Sequence, residues 1–211
     1  VHGSRVQPLL PKNTAQENYI RCIQKFPQVF VTGPAGTGKT YIAAAIAADL
    51  YNTHKIHKII LTRPNIPAGK SLGFFAGTIE DKIAPWVIPL TEVLQERMGK
   101  GRYDVAYKRG DIQIVPFEVM RGRSFNNAFV ILDEGQNLTP HEMKMFLTRT
   151  GENTKVIVNG DISQHDLQGD SGLKVAIDLL HKHDIPAAHC NFTHDDVVRS
   201  GICAAWTRAF G

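Results

Sequence analysis

VFVTGPAGTGKT, residues 29–40, joins a short apolar run to a glycine-rich turn. Val29, Phe30 and Val31 have the composition of a buried strand. Gly33 to Thr40 matches G-x-x-x-x-G-K-[ST], the Walker A phosphate loop. Gly33, Gly36 and Gly38 allow backbone conformations that Cβ-bearing residues resist, so several N–H groups can turn inward around an anion. Pro34, Ala35 and Thr37 complete the loop. Lys39 is spaced to reach the β- and γ-phosphates of a nucleoside triphosphate, and the Thr40 hydroxyl to ligate Mg²⁺. Tyr41 to Leu50 reads as an alanine-rich helix whose N-terminus adds the positive end of its dipole to the site. Tyr41 therefore joins the candidate nucleotide-binding set. A glycine-rich turn with no ligand is the alternative, but the strand before and the helix after are the context that the motif requires.

Composition sets the frame for that motif. A chain of 211 residues fits one α/β domain, and 43% hydrophobic residues suffice for a substantial core. No run approaches the ~18 consecutive apolar residues of a membrane span, and no secretory leader pattern opens the chain. Val1 rather than Met stands first, so residues 1–12 read as an N-terminal extension and Val1 to Arg5 as a candidate non-native addition. The formal net charge of +4 permits a polyanionic partner without requiring one. Cys22, Cys190 and Cys203 are far apart, odd in number and form no C-x-x-C, which suits a reducing cytoplasm. Cys190 with His181, His183, His189 and His194 fits no metal-site spacing, so these read as surface histidines.

Taken in order, the chain alternates strands with helices. A helix is expected before Phe26, capped by Asn13 or Thr14, with Tyr19, Ile20 and Ile23 as its apolar face. Gln16 stands one helix ahead of the phosphate-loop strand, and a side-chain amide can read adenine bidentately; taken alone, a solvated glutamine is the default. Lys55 to Thr62 reads as the next strand. Arg63 to Gly77 is a long loop in which Arg63, Lys70, Phe74 and Phe75 combine charge with aromatic faces, suited either to phosphate contact and base stacking or to packing as a lid. Thr78 is placed to cap a helix, with Glu80 and Asp81 in its first turn, which Pro85 and Pro89 should break or kink before Leu90 to Met98 continues. Gly99 to Gly110 is basic and glycine-flanked and reads as an exposed loop or small insertion. Arg121 and Arg123, after a short strand at Ile112 to Val115, could touch nucleic acid or phosphate, or be plain surface arginines.

Ala128 to Glu134 (AFVILDE) is the second decisive pattern. An apolar strand ends in two carboxylates, as in Walker B. Asp133 is the expected Mg²⁺ partner beside Thr40, and Glu134 is placed to polarise an attacking water as general base. Thr139-Pro140-His141-Glu142 is a capping box that starts a helix running to Thr150. Lys155 to Asn159 is a further strand, and Gln164 beyond it could sense the γ-phosphate or the attacking water. A helix at Ser171 to Leu180, an edge strand at Ala187 to Phe192 and a last helix over Asp195 to Phe210, capped by Thr193, complete the chain. The fold expected is α/β, with a mainly parallel sheet flanked by helices in three layers.

LTRPNIPAGKSLGFFAG (61–77), MRGRSFNNAFVILDEGQN (120–137) and DVVRSGI (196–202) resemble the PhoH-like ATPase family, and NGDISQ (159–164) with LDEGQN resembles the nucleotide-binding domain of helicase superfamily 1. The resemblance covers Asn13 to Phe210 and implies a RecA-like core binding ATP and Mg²⁺. It implies that Gln16 reads adenine, that Lys39 and Thr40 hold phosphate and metal, that Asp133 and Glu134 are metal acid and base, and that Gln164 senses the γ-phosphate. The usual D-E-A-Q has Gly135 in place of its alanine here, a change the turn should tolerate.

A superfamily 1 helicase has two such domains, and this chain has room for one. A single domain lacks the arginine that offsets transition-state charge, which is worth ~10³–10⁵ in rate. A head-to-tail ring of identical subunits, a hexamer for example, would supply it. Arg199 is the first candidate for that arginine, in cis or in trans, with Arg63, Arg121 and Arg123 behind it. Three functions are open on these residues: an ATPase working on RNA or another single-stranded nucleic acid, a small-molecule kinase, and an ATP-gated assembly or switch protein. The Asp133-Glu134 pair argues against the kinase.

Overall fold

The computed structural model describes residues 6–64, 85–163 and 169–210. Six short strands form the sheet, the first five rich in Val, Ile, Leu or Phe: β1 (Gln28–Thr32), β2 (Lys58–Arg63), β3 (Ile112–Pro116), β4 (Ala128–Leu132), β5 (Lys155–Gly160) and β6 (Ala188–Asn191). They lie in the order β3-β2-β4-β5-β1-β6, and every pairing among them is parallel. The register sets Thr32 beside Gly160 and Thr62 beside Leu132, so the carboxyl ends of β1, β5, β2 and β4 share one edge of the sheet. β6 takes the edge position expected for it.

Both faces of the sheet are covered. Alternate strand residues point to opposite sides. Val29, Val31, Ile59, Leu61, Phe129, Ile131 and Ile157 join one core, and Phe30, Ile60, Val130, Leu132, Val156 and Val158 the other. The first core is closed by α1 (Thr14–Lys25), α2 (Lys39–Asn52), α3 (Ile88–Met98) and α4 (Lys100–Lys108), the second by α5 (Pro140–Leu147) and α6 (Gly172–His183). Each buried Val, Leu, Ile or Phe contributes ~1.5–3 kcal/mol relative to exposure, which is why these strands read as continuous apolar runs. The expected three layers are present, and the sheet is wholly parallel.

Local chemistry explains the helix ends. The Asn13 Oδ1 accepts from the Gln16 N–H at 2.9 Å and so caps α1. Ala43, Ala44, Ala45, Ala47 and Ala48 are all buried, so α2 carries small side chains where it lies close to its neighbours. α3 is tied to α2 by a bidentate pair: Arg97 Nε and Nη2 donate to the two Asp49 carboxylate oxygens at 3.0 and 2.8 Å. The capping box of α5 is formed as expected, with Glu142 N donating to Thr139 Oγ1 at 3.2 Å and Thr139 N to Glu142 Oε1 at 3.1 Å.

Two expectations need correction, and a third lies partly outside the described residues. Gly99 to Gly110 is not an exposed loop: it contains α4, which buries Tyr103 and Ala106 three residues apart on one face. The helix expected from Thr78 lies outside the described residues; Pro85 stands in a single 3-10 turn, Pro85–Val87, and Pro89 in the first turn of α3, where its missing N–H costs nothing, so Leu90 to Met98 is helical as expected. The last helix is not continuous from Asp195. Thr193 caps only one 3-10 turn, His194–Asp196; residues 197–200 then form no regular element before α7 (Gly201–Phe210). The interruption has a tertiary cause, because the Val198 N–H donates to the Gly36 carbonyl at 3.0 Å instead of to a helical partner. Among the described residues, no helix is long and apolar enough to cross a membrane.

Candidate nucleotide site

The turn between β1 and α2 has the backbone that its glycines predict. Gly33, Gly36 and Gly38 have φ of 132°, 82° and 85°. A Cβ on Gly33 would collide with the Phe192 carbonyl oxygen, and one on Gly38 would lie 2.6 Å from Gln16 Nε2. Gly38 is the N-cap of α2 and brings no side-chain cap, so the first N–H groups of that helix are left to a ligand.

Facing this turn is the end of β4. Gly36, Lys39, Thr40, Tyr41, Asp133, Glu134 and Asn159 are among the residues lining a cleft of about 580 Å³. Burial lowers the Lys39 pKa, opposed by Asp133, Asp161 and Glu134. Burial raises that of Asp133, opposed mainly by Arg63. Asn159 Nδ2 donates to Asp133 Oδ1 at 3.1 Å. The Asn159 Oδ1 is buried without a partner.

Glu134 is held from both sides. Arg63 Nη2 lies 3.1 Å from its Oε1 and 3.4 Å from Asp133 Oδ2. Gln136 Nε2 donates to its Oε2. Its backbone is left-handed, φ 54° and ψ 39°. Gln136 is itself fixed: its Oε1 accepts from Asp161 N at 3.2 Å, and its carbonyl accepts from Ser171 Oγ at 2.7 Å. Gly135 is fitted to this turn, since a Cβ there would lie 2.7 Å from Val158 Cγ1.

The oxygens gathered here suit Mg²⁺. Thr40 and Asp133 are hard donors, and Mg²⁺ takes few protein ligands while keeping several waters. The orphaned Asn159 Oδ1, on the side chain that holds Asp133, is one further oxygen acceptor on this wall. No cluster of three His, Cys, Asp or Glu exists among the described residues, and a magnesium site of this kind needs none.

Gln16 is buried, not solvated. Its Nε2 donates to the Thr37 carbonyl at 2.9 Å and its Oε1 accepts from Lys12 N at 2.9 Å. The amide is therefore at the loop but engaged, and reading a base with both its atoms would require release. A second cleft of about 830 Å³, lined by Leu9, Gln16, Gly36, Gly38, Tyr41 and Val198 among others, adjoins it.

Other candidates fall elsewhere. Arg199 is exposed in the irregular stretch next to Val198, one residue from the loop contact. Arg121 donates to Glu142 at 3.1 Å and Arg123 to Gln113 at 2.9 Å, both away from the cleft, so neither reaches the carboxylates. Gln164, Lys70, Phe74, Phe75, Thr78, Glu80 and Asp81 lie outside the described residues. The histidines make no metal group there; His189 Nε2 sits 2.8 Å from Thr32 Oγ1. Two site residues were under-read in the sequence. The sequence shows Arg63 as a phosphate-contact or reserve arginine rather than a partner of the carboxylates, and Gln136, visible in LDEGQN, has no role there.

A sequence model of the family described as PhoH-like protein matches residues 8–211. The chain belongs to that family. The protein PhoH of Escherichia coli (strain K12) is 44% identical over 207 residues, 96% of this chain and 58% of that protein. A PhoH-like protein of Mycobacterium tuberculosis (strain ATCC 25618 / H37Rv) is 44% identical over 209 residues, 98% of this chain and 59% of that protein. The chain thus spans somewhat over half the length of these PhoH relatives. Among solved structures, the Pif1 helicase from Candida albicans aligns with TM-score 0.44 and 17% identity, over 88% of this chain and 41% of that one, too distant to add weight. With its phosphate loop, its following helix and its facing carboxylate strand, this PhoH-family chain has the architecture of a P-loop nucleotide-binding domain.

Proposed function

We propose that the chain is a Mg²⁺-dependent ATPase that works on single-stranded nucleic acid, RNA before DNA, as a helicase-like motor. One observation carries the hydrolytic part: Glu134 stands beside Asp133 on the wall of the cleft that Lys39 and Thr40 line. In this reading Gly33 to Tyr41 cradle the phosphates and Gln16 with the adjoining cleft takes the adenine. Thr40 and Asp133 would hold the metal, whose charge would offset that of the phosphates. Glu134 takes the proton of the attacking water. Gln136 joins that base to Asp161 at the end of β5, a path by which the state of the γ-phosphate reaches the rest of the sheet edge. The nucleic-acid part rests on the net charge of +4 and on the family resemblance. Gln164 as γ-phosphate sensor, a cytoplasmic location and a homo-oligomeric ring with Arg199 supplied across its interface belong to the same proposal.

The test is ATP turnover with Mg²⁺, with and without single-stranded RNA, beside Glu134→Gln. Stimulation by RNA that the variant loses is the expected result. Turnover indifferent to RNA but abolished in Glu134→Gln would remove the motor and leave an ATP-gated switch or assembly protein. That second reading has one observation in its favour: both Glu134 oxygens are engaged, which suits slow turnover. Sedimentation as a monomer with and without ATP analogue and Mg²⁺ would remove the ring.

A further inference from the structure

Arg63 closes β2, the strand beside β4 in the sheet. Its side chain is partly buried against the two carboxylates. Nη2 spans the two carboxylates at 3.1 and 3.4 Å, the guanidinium carbon lies 5.4 Å from the centre of the Trp86 ring, and the buried Nε has no hydrogen-bond partner. A guanidinium with an unpartnered Nε is held by charge and by the ring rather than by a full set of hydrogen bonds. It forms one contact with each carboxylate instead of a fork on either, the weaker of the two arrangements open to arginine. Asp133 and Glu134 are consecutive, and without a cation between them their charges repel.

We infer that Arg63 is a built-in cation that occupies the Asp133-Glu134 pair in the nucleotide-free protein, excluding divalent metal until a nucleotide brings it. The inference rests on the reading of Asp133 as the metal acid and adds the residue that governs when metal enters. Arg63 and Mg²⁺ then compete for the same carboxylate charge. A nucleotide tips the competition, because its phosphate oxygens supply metal ligands and a new anionic partner for the displaced guanidinium. Displacement also frees Glu134 Oε1, which a general base needs in order to accept a proton. Arg63 acts here through the carboxylates and is a positioning residue.

The probe is Mn²⁺ titrated into nucleotide-free protein and followed by the electron paramagnetic resonance signal of the free ion. Arg63→Gln should bind Mn²⁺ about tenfold more tightly than the natural protein, since a full positive charge at contact distance is removed. Arg63→Lys should stay close to the natural protein, and adding Asp133→Asn to Arg63→Gln should abolish the gain. Equal Mn²⁺ affinity in Arg63→Gln and the natural protein would overturn the inference. Titration of Mn²⁺ in the presence of a non-hydrolysable ATP analogue separates this from the underlying reading. If Asp133→Asn leaves that affinity unchanged, the metal acid has been misassigned; if it weakens it while Arg63→Gln does nothing to the free protein, only the built-in cation fails. Circular dichroism of each variant confirms that a folded protein is being compared.

Discussion

Two turns at the same edge of the sheet solve opposite problems. The turn after β1 uses φ of 82° and 85° at Gly36 and Gly38, where no side chain is wanted because backbone must approach an anion. The turn after β4 uses φ 54° at Glu134, a residue with a full side chain. Left-handed backbone costs a Cβ-bearing residue ~1–2 kcal/mol. The first turn avoids that cost by having no side chains; the second bears it, because the left-handed turn carries a carboxylate held between Arg63 and Gln136. Where the ligand meets backbone, strain is removed; where it meets a side chain, strain is kept.

The largest expected effect separates binding from stability in the first turn. Lys39→Met should reduce ATP turnover by ~10²–10³-fold or more through loss of a charge at the phosphates, while its thermal midpoint at neutral pH should not fall. Burial lowers the Lys39 pKa, so its charged form is disfavoured in the folded state. That penalty is present in full below the folded-state pKa and disappears as pH rises towards the unfolded value of about 10.5. Any stability advantage of the variant should therefore shrink between neutral pH and pH 10, read from denaturant midpoints across that range.

Next comes Gly33→Ala, which should cost about 3 kcal/mol or more. The backbone at φ 132° resists an L side chain, and the added methyl would meet the Phe192 carbonyl, which belongs to backbone and cannot swing away. Gly36→Ala, where the nearest atom is a Val197 methyl at 3.3 Å, should cost only ~1–2 kcal/mol. Urea unfolding of the pair checks the ranking. Equal losses would mean that φ alone, and not the approach of the Phe192 carbonyl, sets the requirement for glycine.

How much of this the sequence discloses follows from the range of each interaction. Strands β1, β2, β4 and β5 are legible because burial on both faces writes itself as an apolar run, and the Walker motifs because their chemistry is local. α4 is hidden because a short helix that buries only Tyr103 and Ala106 leaves most of its surface polar and basic. The break before α7 is hidden because the residue that takes the Val198 N–H is Gly36, more than 160 positions earlier. Arg63 and Glu134 lie 71 residues apart, so nothing in the local pattern of either announces the pair. Gln136 is the instructive case: only two residues from Glu134, it was in plain view, but its role depends on Asp161 and Ser171, which the fold brings in.

The smallest effect tests the second turn directly. Glu134→Gly and Glu134→Ala both remove the carboxylate and should both lose turnover, so they differ in stability alone. Both lose the contact with Arg63, and with the two side chains 29% and 33% exposed that pair is worth ~0–1 kcal/mol. Glycine relieves ~1–2 kcal/mol of left-handed strain that alanine keeps, but it also adds backbone entropy to the unfolded chain, worth ~0.4–1 kcal/mol in the opposite direction. The balance leaves Glu134→Gly more stable than Glu134→Ala by roughly 0.5–1 kcal/mol, a difference within reach of urea midpoints at constant slope. The same pair of residues compared at Gly36 carries the same entropy term, so a glycine advantage there at least as large as at 134 is expected, the backbone at φ 82° being left-handed without a side chain. If alanine and glycine prove equal at 134, the turn relaxes once the carboxylate is gone; the left-handed geometry is then imposed by the clamp of Arg63 and Gln136 rather than by the path of the chain.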